Sequence, residues 1–254
     1  IPIMVGGPHI SIEKKQALLP QFDYAFMGEA ETSFPQFLNL FENREDVSDV
    51  PGLIYRKGDE VVQTSDPQWV KTAVPTKGSN VGAEYPLDQF PFPDRNLLPM
   101  RRYRLGTLQG LKRFSSIQTM RGCPWECIFC ASDMLNTKSI RMRSPESVVA
   151  EMRKVITDFP YINHFFIVDD VMTLFAEKHI ALICELILKD GLKITFESST
   201  RANLVDDKIM ALMARAGLIR LSFGLETVDP QMRQTMQKKI PLESYVQANA
   251  LCSK

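Results

Sequence analysis

The chain has 254 residues, 44% of them hydrophobic and 24% charged, which is enough apolar material for one large soluble domain or two smaller ones. Thirty Lys and Arg balance thirty Asp and Glu, so no net field draws the chain to nucleic acid or anionic lipid, and the expected partner is a small molecule. No apolar run is long enough to cross a bilayer and no charged-then-apolar leader stands at the start, which gives the expectation of a cytoplasmic protein with neither membrane nor nucleic-acid partners.

The chain opens without an initiator Met, inside the apolar run Ile1-Pro2-Ile3-Met4-Val5, and therefore reads as a fragment. Ile3 to Val5 is the end of a buried strand, stopped by Gly6-Gly7-Pro8, and a helix-like stretch follows to about Leu19. Phe22 to Met27 reads as a second strand. Glu31 to Phe41 reads as a helix with Phe34, Phe37, Leu38 and Phe41 on one face. Leu53 to Tyr55 and Val61 to Gln63, around Lys57-Gly58-Asp59, suggest a hairpin. Prolines then recur at Pro67, Pro75, Pro86, Pro91, Pro93 and Pro99 with little periodicity between them, so residues 66–114 read as a Pro-rich linker between residues 1–65 and 115–254. Its basic group, Arg101, Arg102, Arg104, Lys112 and Arg113, is expected to be a solvated face.

From residue 115 short apolar strands alternate with amphipathic helices, which implies an α/β fold on a parallel sheet. Ser116 to Thr119 forms the first strand, and Ser144-Pro145-Glu146 supplies an N-cap, a first-turn proline and a first-turn acid. That helix buries Val148, Met152, Val155 and Ile156. His164 to Val168 is the second strand, ending at Asp169-Asp170. Its helix turns Ile180, Ile183, Leu186 and Ile187 to one side and stops at Gly191. Lys193 to Ser198 is the third strand, followed by a helix from Asp206 to Gly217. Ile219 to Gly224 is the fourth, with further helix starts at Asp229-Pro230 and Ile240-Pro241.

Five cysteines do not make a disulfide framework, because three fall within eight residues. Cys184 and Cys252 read as buried small hydrophobes. Cys123, Cys127 and Cys130 are spaced C-x3-C-x2-C, and three thiolates on one loop can hold three irons of a [4Fe–4S] cube while the fourth stays open to a ligand. A structural zinc site takes four ligands, usually in spaced pairs, and would need a distant partner such as His164 or His179. His9, His164 and His179 are read as core or surface histidines. The loop follows the first strand of a βα series, at the end where barrel enzymes gather their catalytic groups.

This loop, with Phe129 immediately before the last cysteine, resembles the signature of the radical S-adenosylmethionine superfamily. The resemblance implies a partial (β/α)6 TIM-like barrel, here with four strands and truncated at its C-terminal end. It also implies S-adenosylmethionine chelated to the open iron, split by an electron from a donor such as a flavodoxin or ferredoxin to give a 5′-deoxyadenosyl radical. Phe129 would lie near the adenine. Asp169 and Asp170 stand where the superfamily often has a Gly-Gly-Glu contact to the methionine amine, although no glycines are present here. Glu197, Ser199, Arg201, Ser222 and Glu226 are polar groups at the third and fourth strand ends, where carboxylate and ribose would lie, and Arg201 is the best carboxylate partner. Arg141 and Arg143 are assigned a helix-flanking surface role over a place in the site.

Gly6-Gly7 after a strand, followed by Asp23 to Glu31, is similar to the last part of the Rossmann-like cobalamin-binding domain that precedes many radical enzymes. A tight turn also explains the two glycines. The family's Asp-x-His-x-x-Gly ligand motif is absent and would lie upstream of Ile1. The resemblance spans nearly the whole chain and implies cobalamin-dependent methyl transfer to an unactivated carbon of a small substrate. The alternatives are an oxidative cyclase of tetrapyrrole type, a radical methylthiotransferase, for which upstream cluster cysteines are missing, and a zinc-stabilised interaction module.

Overall fold

A computed structural model describes residues 1–70, 85–107 and 110–253, arranged in two compact units. One unit is built from residues 1–70 with 131–138, the other from residues 85–130 with 139–253. Pro75, Lys254 and the rest of the linker between residues 71 and 84 lie outside the described residues.

In the first unit, strands β1 (Met4–Gly6), β2 (Tyr24–Phe26), β3 (Leu53–Lys57) and β4 (Glu60–Gln63) form one sheet in that order, parallel between β1 and β2 and antiparallel thereafter. Alternation along the strands gives the sheet two apolar faces. Phe26 and its partner Leu53 pack with Phe37 of helix α2 (Ser33–Glu42), where Phe26 meets Phe34 edge-on at 5.2 Å and Phe37 at 5.3 Å. Ala25 and its partner Ile54 face the other way, packing with Ile10 of helix α1 (Pro8–Glu13) and with Leu18. A short helix α3 (Ser132–Asn136) packs against α1.

The second unit holds a five-stranded sheet. Strand β5 (Arg104–Thr107) pairs antiparallel with β6 (Gly110–Ile117), and the two-residue strands β7 (Met120–Arg121) and β8 (Arg141–Met142) pair with each other apart from it. Strands β9 (His164–Ile167), β10 (Thr195–Thr200) and β11 (Leu218–Phe223) complete the order β11-β10-β9-β6-β5, with β6 to β11 parallel. Four parallel strands therefore stand where four were expected. Residues 104–107 and 110–114, read as linker, are instead antiparallel strands of this sheet. Lys112 and Arg113 obscure the apolar alternation of β6, and pairing with β9, a long-range contact, makes it a strand. Lys112 is likewise not wholly solvated, since its Nζ reaches Thr195 Oγ1 at 3.3 Å.

Helices α4 (Pro145–Asp158), α5 (Ala181–Lys189) and α6 (Asp207–Ala216) cover one face of the sheet, where Ile117, Phe165, Ile167 and Phe196 pack against Val148, Met152, Ile183, Ile187 and Met213. Their ends follow the sequence signals. Ser144 Oγ accepts from the Ser147 amide at 3.1 Å, Asp206 Oδ1 accepts from the Ile209 amide at 2.8 Å, and Gly217 closes α6 at φ 112°. A Cβ on Gly217 would stand 2.3 Å from the Ile194 carbonyl oxygen, so conformation and space both demand glycine. Helices α7 (Pro230–Thr235) and α8 (Leu242–Cys252) follow β11.

Arg143 is not at the surface. It shares the buried Glu151 carboxylate with Arg95, whose Nη2 lies 2.6 Å from Glu151 Oε1, and Arg141 is only 1% exposed. Cys184 is wholly buried and burial pushes its thiol up to about 12, as a core cysteine requires. Cys252, expected to be buried, is exposed, because α8 turns Ala248 rather than its last turn to the core.

At the carboxyl end of β9, Asp169 sits 5% exposed and accepts from the Thr119 amide at 2.7 Å, from the Met120 amide at 3.1 Å and from the Thr119 hydroxyl. Burial nevertheless drives its carboxyl up to about 6, against the pull of those donors and with the neighbouring Asp170 charge adding to the rise.

Two outcomes follow for stability. Gly217→Ala should cost about 1–3 kcal/mol in backbone strain with overpacking added, and more than Gly191→Ala, whose Cβ would meet open space, as urea unfolding would measure. Because the folded pKa of Asp169 lies above its unfolded value, its contribution is fully present below about pH 4. It is lost as pH rises through 6, by about 3 kcal/mol. Asp169→Asn mimics the protonated acid and should remove that slope between pH 4 and 6 in denaturation series. An unchanged slope would mean that another group carries it.

Candidate functional site

The thiols stand on a loop whose stem is closed twice. Met120 pairs with Met142 and Arg121 with Arg141, and the Arg143 amide donates to the Thr119 carbonyl at 2.9 Å. Asp169 grips the same two residues, Thr119 and Met120, from β9. The loop thus leaves the carboxyl end of β6 from a fixed point.

Cys123 and Cys127 are half-buried, Cys130 is exposed, and none of the three is in a disulfide. The Cys130 amide donates to the Cys127 carbonyl at 3.1 Å in a tight turn, and the Ile128 amide donates to the Met236 carbonyl at 3.3 Å, tying the loop to the segment after α7. The Cys123 thiol is raised above its ordinary value first by burial, against a hydrogen bond from the Trp125 backbone. Asp170 and the other two thiols add to the rise. Among the described residues no three His, Cys, Asp or Glu side chains converge as a single ion needs. A four-iron cube instead takes each thiolate at a separate corner, and three thiols outside any disulfide on one loop fit it.

The sheet face opposite the helices is the one that looks toward this loop's strand ends. Along β10, Phe196, Ser198 and Thr200 turn to the helices or to neighbouring strands, so Glu197, Ser199 and Arg201 share the other face. Ser199 pairs in register with Ser222 of β11, which brings those two hydroxyl side chains together. Arg201 is 8% exposed, with its Cζ 4.0 Å from the Trp125 ring centroid and Nη1 3.9 Å from Cys127 Sγ, while its Nε is buried with no hydrogen-bond partner.

Two expected site residues are placed differently. The Asp169 carboxylate is committed to Thr119 and Met120 and does not face an open site. Glu197, about 13 Å further down the strand than Arg201, is buried beside His164 Nε2 at 3.9 Å and Arg220 at 3.6 Å, because it lies inside β10 and not at its end. Burial holds the His164 imidazole below its ordinary pKa against the pull of Glu197, and its Nδ1 meets Thr195 Oγ1 at 2.9 Å. Glu226 takes φ 63° and pairs with Lys238 at 2.8 Å. Lys238 Nζ also lies 5.5 Å from the Phe129 ring, which is 46% exposed. Lys238 and Trp125 escaped sequence reasoning. Trp125 could have been found as the aromatic inside the cysteine motif, whereas Lys238 carries no local signal. Asp170 adjoins Cys123 electrostatically.

In the first unit, Gly6 ends β1 and Gly7 takes φ 96° at the start of α1, a backbone that side chains avoid, so the turn itself calls for glycine there. No described helix is long and apolar enough to cross a membrane.

A family model described as the radical SAM superfamily matches residues 117–254. An uncharacterised methyltransferase of Pyrococcus horikoshii is 25% identical over 249 residues, covering 97% of this chain and 50% of its own length. The hopanoid C-3 methylase of Methylococcus capsulatus is 29% identical over 250 residues, covering 96% and 43%. The chain thus spans about half the length of these relatives. The solved radical S-adenosylmethionine methyltransferase TsrM of Kitasatospora setae, with cobalamin and a [4Fe–4S] cluster bound, shares the fold at a TM-score of 0.72. Its identity is 18%, over 99% of this chain and 47% of that one. The superfamily match covers more than half of the chain and contains all three clustered thiols, which removes the reading as a zinc-stabilised module: this chain belongs to the radical SAM superfamily.

Proposed function

We propose that this chain is the radical-initiating part of a cobalamin-dependent methyltransferase acting on an unactivated carbon of a small organic molecule. The observation that carries the reading is the loop of three thiols outside any disulfide, Cys123, Cys127 and Cys130, anchored at the carboxyl end of β6 beside a buried guanidinium. When bound, a [4Fe–4S] cluster and S-adenosylmethionine supply reductive cleavage to a 5′-deoxyadenosyl radical, with cobalamin as methyl carrier.

The chain's own residues have separate tasks. The three thiolates would ligate the cluster at three of its irons, leaving the fourth open to a small-molecule ligand. The unpartnered Nε–H of Arg201 is a buried donor that the methionine carboxylate would satisfy. Ser199 and Ser222, adjacent on the inner face, offer hydroxyls to the ribose, and the Asp170 carboxylate stands at the Cys123 side for the methionine amine. Phe129, half exposed on the loop, offers its backbone to the adenine, and the Glu226–Lys238 pair flanks its ring. Residues 1–65 are read as the C-terminal part of a cobalamin-binding-like domain with Gly6 and Gly7 at its ligand edge. Residues 66–114 then join it to the core at 115–254, with 104–107 and 110–114 contributing edge strands of that core. A flavodoxin or ferredoxin is the expected electron donor.

Anaerobic reconstitution with iron and sulfide should yield about four irons per chain, as one cube requires, and S-adenosylmethionine with dithionite should then give 5′-deoxyadenosine. Cys127→Ala should lose both. Tight zinc with no iron uptake would overturn the reading. The cobalamin part predicts an Asp-x-His-x-x-Gly motif upstream in the gene, and its absence there would end that assignment.

A further inference from the structure

Arg201 leaves the end of β10 and stacks on Trp125, with its Cζ 4.0 Å from the ring centroid, while Nη1 points to Cys127 Sγ at 3.9 Å. Both partners lie in the ligand loop two residues apart, and the arginine itself is only 8% exposed. A guanidinium so buried keeps its charge, since arginine is not deprotonated in proteins. The indole holds the guanidinium against the loop through a cation–π contact. A separation of 3.9 Å to sulfur is a long hydrogen bond to a thiol, and a thiolate, carrying charge, is a much stronger acceptor for the same N–H.

We propose that Arg201, held against Trp125, is a positioning residue that donates to the Cys127 thiolate and raises the reduction potential of the cluster bound there. The proposal rests on the radical reading of the site and extends it to how readily the electron enters. Reduction adds one electron from an external one-electron donor to an already anionic set of thiolates. A fixed positive charge and an N–H···S bond stabilise the more negative state, and such contacts are among the levers that set cluster potentials. The donation uses Nη1 and leaves Nε–H for another acceptor.

The test is a potentiometric titration of the anaerobically reconstituted full chain, without S-adenosylmethionine, reduced by dithionite and followed by electron paramagnetic resonance. Arg201→Met should lower the ratio of reduced to oxidised cluster at a given potential about tenfold, a shift of about 59 mV for a one-electron couple. Arg201→Lys, which keeps the charge, should recover most of it, and Trp125→Leu should shift the midpoint the same way by less. Equal midpoints in wild type and Arg201→Met at equal iron content would overturn the proposal. If Arg201→Met retains no iron, Trp125→Leu decides, with a lowered midpoint supporting the proposal and an unchanged one overturning it. A wild-type chain that takes up no cluster would overturn the radical reading itself, a result distinct from an intact cluster whose potential ignores Arg201.

Discussion

The grip of Asp169 on Thr119 and Met120 sets where the thiol loop begins. One carboxylate receives two backbone amides and a hydroxyl from the residues that leave β6, and it does so from the end of the neighbouring strand. Since β6 and β9 are paired in register from Phe114 to Ile117, the fold delivers Asp169 to that point without further adjustment. The pairing of β7 with β8 then closes the loop on itself. The cost is the desolvation of an acid, visible as a carboxyl raised to about 6 despite three donors. A polar group this buried is tolerated because it replaces hydrogen bonds that Thr119 and Met120 would otherwise lack.

The same register divides labour between the faces of the sheet. Facing the helices, Ile117, Phe165, Ile167 and Phe196 form the core with α4, α5 and α6. The other face is polar at several depths. Lys112, His164, Thr195, Glu197 and Arg220 interact low on the strands, Ser199 and Ser222 lie above them, and Arg201 stands at the edge beside the thiols. Glu197 and Arg201 look alike in sequence as charged residues near one strand end, yet a four-residue separation puts one deep in the sheet and the other at the ligand loop. The Glu151 carboxylate, shared by Arg95 and Arg143, ties the proline-rich approach to α4 on the helix side. Charges that close are costly to bury and are retained only when fully paired.

Much of this was legible in the residues. The helix signals at Ser144-Pro145, Asp206 and Gly217 act locally, through one side-chain oxygen or one backbone conformation, and each appears where it was read. The aromatic face of α2 and the four parallel strands follow from periodicity in the same way. The strand from Gly110 was missed because its basic residues hide the pattern and its partners are distant in sequence. Arg143 was assigned to the surface for the same reason, since nothing near it announces Glu151. Lys238 reaches Glu226 and the Phe129 ring only after the chain has turned through α7.

The sequence by itself determined the chemistry: three thiols at C-x3-C-x2-C, a βα series behind them, and hence a metal-cluster loop at strand ends. That information is local, carried by spacing and by residues that act on near neighbours. Only the tertiary structure decided which polar residues meet the thiols, because strand register sets depth and face. It committed the Asp169 carboxylate to anchoring the loop and lowered Glu197 into the sheet. It turned Arg201, chosen from sequence for its charge, onto Trp125 and Cys127, a contact between residues 74 apart that no local pattern encodes.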